Sequence, residues 1–305
     1  MELPKWYHPP TSLVKRTADS ERTDHLPPPE TPVAAADGLP ARLTGPWVHD
    51  KNYYLERYLN IFTRGVGRKW EGKLSYIDLF SGPGRNVIRG TGEEVEGSPF
   101  VALKCDFARY VFVDVPEVLS NLERRLSGHS KSSQISLIEG DCNAVIDAVR
   151  AASPANHLTL VFIDPTGLQI QFRTIQQLVN NRKMDLLMTI QFGMGIRMNL
   201  PLYTQAEGAT LSAFLGGNGW REDVEAGGPT SQIARRILNR YLNELRGLGY
   251  QTVQDREIDI RSDQNNLLLY FMVLASRHPL GAKFWRKATD IQASGQRFLN
   301  LGTEE

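Results

Sequence analysis

The sequence predicts an α/β protein built on one open, seven-stranded, mostly parallel sheet, with a C-terminal antiparallel hairpin and helices on both faces. Three observations carry this. From residue 47 onward, short apolar runs alternate with amphipathic stretches, the pattern of successive βαβ units. The runs are continuously apolar, as strands covered on both faces are. Towards the C-terminus the alternation gives way to a long helix and two strands joined by a polar turn.

The elements follow in order. Residues 1–46 hold nine of the 17 prolines and few large apolar side chains, so they are expected to form an extended Pro-rich arm. Tyr54, Leu55, Tyr58, Leu59 and Phe62 recur at helical spacing and predict a helix over 48–65. Strands are expected at 74–80, 110–113, 135–138, 158–163 and 186–190, with helices near 99–108, 116–127, 143–151 and 172–182. An insertion runs from about 192 to 229. A helix over 230–245 ends at Gly247 and Gly249, and strands over 250–260 and 267–276 form the hairpin. The domain thus spans 47–305.

Composition bounds the function. With 305 residues, 41% apolar and 23% charged, the chain matches an ordinary soluble domain. No run approaches the roughly 18 apolar residues of a membrane span, and residues 1–10 lack the apolar core of a secretory signal, so a cytoplasmic location is expected. The two cysteines, Cys105 and Cys142, lie in no C-x-x-C or Cys/His cluster, so neither a disulfide scaffold nor a metal site is expected. A net charge of +1 gives no global attraction to nucleic acid. Lys51, Arg57, Arg64, Arg68, Lys69, Lys73, Arg85 and Arg89, set against Asp50, Glu56, Glu71 and Asp78, read either as a solvated helix face and loop or as a local basic face.

Ligands of open α/β sheets bind beyond the C-terminal ends of the strands. The first strand ends in Asp78-Leu79-Phe80-Ser81-Gly82-Pro83-Gly84-Arg85, where the glycines allow a tight turn and close approach to a ligand. Residues 85–97 are expected to form a loop before Ser98 and Pro99 open a helix. There is no third glycine of G-x-G-x-x-G and no G-x-x-x-x-G-K-[ST], which argues against dinucleotide and P-loop sites. The next strands end in Asp114-Val115, Asp141-Cys142 and Asp164-Pro165. Asp114 can take two ribose hydroxyls or cap a helix; Asp141 can accept from an adenine amine or cap a helix; Asp164 can face the reacting group or form a turn. Arg85 can pair with a ligand carboxylate or with Asp78. Arg197, after the fifth strand, can contact a phosphate or carboxylate or remain a surface side chain. Met194 and Met198 read as packing residues. Phe172 and Phe192 read as core, and His278 and Trp285 as structural.

Taken together, Tyr76–Arg85, Gly97-Ser98-Pro99, Phe112-Val113-Asp114, Gly140-Asp141-Cys142-Asn143, Phe162–Pro165, Ala275–Pro279 and Phe284-Trp285 resemble class I, Rossmann-like S-adenosylmethionine-dependent methyltransferases. More closely they resemble the three-Cys-motif partner proteins, over about residues 47–290. That resemblance implies S-adenosylmethionine as cofactor, held by Asp78, Phe80, Gly82, Gly84, Arg85, Asp114, Val115, Asp141 and Cys142. It implies Asp164, Pro165 and Arg197 at the catalytic end, and a cysteine-rich three-Cys-motif protein as partner. A methyl acceptor on a nucleic acid base is one expectation; a docking subunit without catalysis is the alternative. Base-amine methyltransferases usually carry Pro-aromatic after the Asp-Pro pair, whereas this chain has Thr166 and Gly167.

Overall fold

A computed structural model describes residues 32–205, 209–253, 256–263 and 266–296. It opens with β1 (Pro32–Ala34), β2 (Pro40–Thr44) and helix α1 (Val48–Val66). β3 (Leu74–Asp78), β4 (Arg85–Ile88), β5 (Glu94–Glu96) and α2 (Ser98–Leu103) follow. Next come β6 (Arg109–Asp114), α3 (Pro116–Leu126), β7 (Ile135–Glu139), α4 (Ile146–Ala152), β8 (Leu158–Ile163), α5 (Phe172–Val179) and β9 (Met184–Ile190). A π-helical turn, Phe192–Arg197, leads to α6 (Leu200–Gln205), α7 (Ala209–Leu215) and α8 (Trp220–Glu225). The chain ends with α9 (Thr230–Gly247), β10 (Ile258–Arg261), β11 (Leu268–Ala275) and α10 (Pro279–Ala288).

The large sheet has seven strands in the order β10-β11-β9-β8-β3-β6-β7. β3 pairs in parallel with both β6 and β8, and β11 runs antiparallel to β9 and β10. This is the mixed, Rossmann-like α/β sheet expected from the apolar runs. Period-two alternation along and just past β3 sends Leu74 and Tyr76 into one core and Ile77 and Leu79 into the other. The first core lies under α1, α2, α3 and α10; the second lies under α4, α5, α9 and the insertion helices. Phe172 and Phe192 are buried in the second core. His278 caps α10 by accepting from the Leu280 amide at 3.1 Å, and the Trp285 indole donates to the Arg256 carbonyl at 2.8 Å, so both are structural.

Two expectations need correction at the N-terminal side. Residues 32–44 are not an extended arm but two strands of a second sheet, ordered β1-β2-β4-β5, and the expected loop 85–97 supplies the other two. The Pro-rich remainder, 1–31, lies outside the described residues. Propolines at strand starts explain how prolines coexist with pairing: Pro32 opens β1 and Pro40 opens β2, positions where a missing N–H is tolerated. A third correction concerns the hairpin. Among the described residues of the expected strand 250–260, only Ile258–Ile260 pair, in a strand that runs on to Arg261, because Gly249 (φ 92°) turns the chain and Tyr250 and Val253 drop into the core beneath.

Arg125 of α3 holds the small sheet in place. Its side chain, 4% exposed, grips the Asp37 carboxylate through Nε and Nη2 at 2.7 and 2.9 Å. It also donates to the carbonyls of Leu39, Pro40 and Pro83 at 3.0, 2.8 and 2.7 Å. The guanidinium lowers the Asp37 pKa to about 2. Since Pro83 sits between the two glycines of the first strand-end loop, one side chain ties that loop to the N-terminal strands. Replacing Arg125 by alanine should speed amide exchange across residues 33–44 by about tenfold or more while β3 and β8 stay protected, as charge-assisted hydrogen bonds contribute about 1.5–3 kcal/mol. Unchanged exchange would mean that strand pairing alone holds the sheet.

Candidate functional site

The strand order reverses at β3: the chain builds outward through β6 and β7, then returns to β8 on the other side. The crevice at that reversal is where an open α/β sheet receives a ligand. Asp78, Asp114 and Asp164 stand at its three strand ends.

Asp78 lies near the Asp164–Lys51 pair. It is fully buried; its carboxylate accepts from the Phe80 amide at 3.2 Å and lies 3.4 Å from the Tyr76 hydroxyl, and Ser98 also donates to it. Burial raises its pKa to about 7. These bonds give Asp78 a role in shaping the loop that follows it. Phe80 is half-buried, packed on the core of the far face.

The turn after it points two glycines in different directions. Gly82 has φ +66°, and a Cβ there would meet nothing nearer than the Arg42 guanidinium carbon at 3.9 Å. Gly84 has φ +86°, and a Cβ there would strike the Phe100 ring at 2.8 Å and Leu122 at 2.9 Å. Gly82 is itself buried, with the Arg42 guanidinium at contact distance from where a side chain would begin, while Gly84 is required by helix packing. Arg85 lies in β4, with its guanidinium 5.7 Å from the Phe100 ring centre and no hydrogen bond to Asp78.

Asp114 is the hinge of the crevice. One carboxylate oxygen accepts from the Gly82 amide at 2.7 Å, the other from the Val115 amide at 2.8 Å. Desolvation raises its pKa, opposed first by the nearby Arg42. A carboxylate has about four acceptor sites, so two remain for hydroxyls. Asp141 is exposed, one oxygen held by the Asn143 amide and side chain at 2.9 and 2.8 Å. Cys142 is buried beside Asp141 and Asp114, its thiol hydrogen-bonded to the Asp141 side chain and its pKa pushed up first by burial.

At the end of β8, Asp164 is already engaged on both oxygens. Lys51 of α1 sits 2.5 Å from one, and the Thr189 hydroxyl donates to the other at 2.6 Å. The ion pair is largely buried, with side-chain exposures of 13% and 9%. The Pro165 carbonyl accepts from Gln191 at 2.8 Å. The adjoining turn is closed by Gln169, which accepts from the Gly167 amide at 2.7 Å and donates to the Thr166 hydroxyl at 2.8 Å. Arg197 is half-buried at the end of the π-helical turn, and no hydrogen bond or ion pair joins it to the described residues. Met198 is 37% exposed, so it is not the packing residue expected. The Met194 side chain lies outside what is described.

Lys51 and Arg42 are the residues that sequence reasoning missed. Lys51 sits in the first turns of a helix, where the positive dipole end disfavours a cation unless a carboxylate faces it; that was the available signal. Arg42 lay within the supposed arm and carried none. No protein-family model and no curated protein matches the chain. Solved structures do. LPL1258 of Legionella pneumophila is 12% identical over 82% of this chain and 94% of its own, with a TM-score of 0.49. The O-methyltransferase TomG of Streptomyces achromogenes, solved with SAM, is 10% identical over 73% and 79%, at 0.40. Cofactor-bound Rv0187 from MTB is 11% identical over 73% and 79%, at 0.38. All three scores are too low to carry a functional argument, which rests on the chain's own strand order and residues.

Two stability effects follow. Lys51→Met should cost about 3–5 kcal/mol in urea denaturation, by stranding a buried carboxylate, and adding Asp164→Leu should recover much of it. A loss below about 1 kcal/mol would mean that the pair behaves like an exposed one. For Asp78, the folded state keeps a proton that the unfolded state sheds from about pH 4, so its contribution to stability falls as pH rises towards 7. Asp78→Asn should flatten that fall; an unchanged pH profile would reject the raised pKa.

Proposed function

We propose that this chain is a methyltransferase that takes its methyl group from S-adenosylmethionine. The observation that carries the proposal is the Gly82 turn at the strand reversal, hydrogen-bonded to Asp114 and faced by Arg42. These residues fit the donor's parts. The two acceptor sites left on Asp114 suit the ribose hydroxyls. The Arg42 guanidinium suits the carboxylate of the amino-acid tail, a charge-assisted, bidentate match. Exposed Asp141 suits the adenine amine.

The bound donor supplies an electrophilic methyl on a sulfonium; the chain supplies position. Asp164 and Pro165 stand at the neighbouring strand end, so an acceptor there meets a carboxylate and a carbonyl. An amine is the acceptor that this edge suits best. One N–H would go to the second lone pair of the Pro165 carbonyl and the other to the Asp164 oxygen now held by Lys51. Both bonds aim the nitrogen lone pair at the methyl, and alignment of this kind contributes most of the acceleration of such a transfer. Lys51 then acts as the occupant that the acceptor displaces.

Calorimetric binding of S-adenosylhomocysteine tests the donor site. Asp114→Ala should weaken it by tenfold or more, about 1.4 kcal/mol. Arg42→Ala should weaken S-adenosylhomocysteine but leave 5′-methylthioadenosine, which lacks the carboxylate, unchanged. No binding to the folded wild-type chain would sink the proposal; equal losses for both ligands would remove only the role of Arg42.

A further inference from the structure

A second concave surface lies away from the crevice, between α1 and α10. These helices pack antiparallel: the Tyr53 hydroxyl donates to the Ile291 carbonyl at 3.3 Å, Arg57 to the Ala288 carbonyl at 2.7 Å, and Gly65 lies against the Phe284 ring. The seam opens into a groove of 1140 Å³. On α1 its wall is the stripe Tyr53, Arg57, Asn60, Ile61 and Arg64, one face at helical spacing. On α10 it is Lys283, Phe284, Arg286 and Lys287.

The charge on this groove is lopsided. Five cations line it against two acids, Glu56 and Asp290. Each acid already has a cation from outside the lining, Lys104 at 3.9 Å and Arg256 at 3.8 Å. The whole chain carries only +1, so the excess is local. Arg64, Arg286 and Lys287 also suit the negative ends of their helices, which explains their presence there but not their convergence on one groove with Arg57 and Lys283. Between the cations, half-buried Ile61 and Phe284 form an apolar floor. A cationic rim over an apolar, aromatic floor is what an unpaired polynucleotide needs: charge for the phosphates, flat carbon for the bases. A duplex would hide its bases, and an anionic membrane would find a groove instead of a protruding face.

We infer that the α1–α10 groove binds single-stranded nucleic acid. From Tyr53 to Gly65 the helix wall runs about 18 Å at 1.5 Å per residue. The same helix begins at Val48 and delivers Lys51 to Asp164, so a strand following the groove towards Tyr53 is led to the edge where the acceptor would react. The groove thereby names a substrate class for the crevice, and that part rests on the methyl-transfer reading; the binding itself does not.

The test is fluorescence anisotropy of a labelled single-stranded RNA of mixed sequence, without donor. Wild-type chain should bind, with affinity falling steeply between about 50 and 200 mM salt. The variant Arg64→Glu/Lys283→Glu/Lys287→Glu removes cations that have no hydrogen bond or ion pair among the described residues. It should bind at least tenfold more weakly, with a log–log salt slope shallower by about 2, while circular dichroism and S-adenosylhomocysteine binding stay as in wild type. No wild-type binding at low salt, an unaffected variant, or capture by phosphatidylserine vesicles in place of RNA would each overturn the inference. Donor binding without RNA binding removes the groove alone; RNA binding without donor binding removes the methyltransferase reading alone.

Discussion

A carboxylate carried into a protein interior must meet a cation or a full set of donors, and Asp164 meets Lys51. That pair joins three elements that the chain makes far apart: α1, the end of β8 and, through Thr189, the end of β9. Helix α1 could slide along an apolar face at little cost in buried area, since one leucine or tyrosine packs much like the next. It cannot slide without pulling Lys51 off a buried charge. The ion pair therefore sets the register of α1 on the sheet, and with it the place of everything else that α1 carries.

Arg125 does the same for the small sheet by different means. Its partners are mainly carbonyls, which no side-chain substitution removes, and they belong to two segments more than forty residues apart in the chain. α1 adds a second tie, because Asn52 and Asn86 both donate to the Glu96 carbonyl, at 2.8 and 3.2 Å. The glycine turn is thus held from the helix side by Arg125, from the strand side by Asp114 and from beneath by buried Asp78. A turn fixed on three sides presents its amides in one arrangement before any ligand arrives, so little ordering entropy remains to oppose binding.

Much of this was legible in the sequence because it depends on local pattern. The parallel strands announce themselves as apolar runs, and the switch to a final hairpin follows from the long helix and the polar turn before Leu267. The strand-end carboxylates were found by position alone. What they touch was not, since contact is a tertiary property: Asp78 and Asp114 look alike in sequence, yet one is sealed in the core and the other borders the crevice. Residues 32–44 were misread because proline content stood in for disorder. Their strands are short and pair with residues 85–88, so no feature within them reveals a partner. Lys51 was seen and set aside as one surface cation among several.

The strand order also bears on how the chain is made. β3 is the first strand of the large sheet to leave the ribosome, and it ends up inside the sheet, paired on both edges. Its partner on one side, β6, follows within about forty residues, but β8 does not begin until Leu158. Over that interval of synthesis one edge of Leu74–Asp78, apolar on both faces, has no strand to pair with. Such an edge is an invitation to join another nascent chain. The stretch of translation between Asp114 and Leu158 is therefore the interval in which that edge stands open to neighbouring copies.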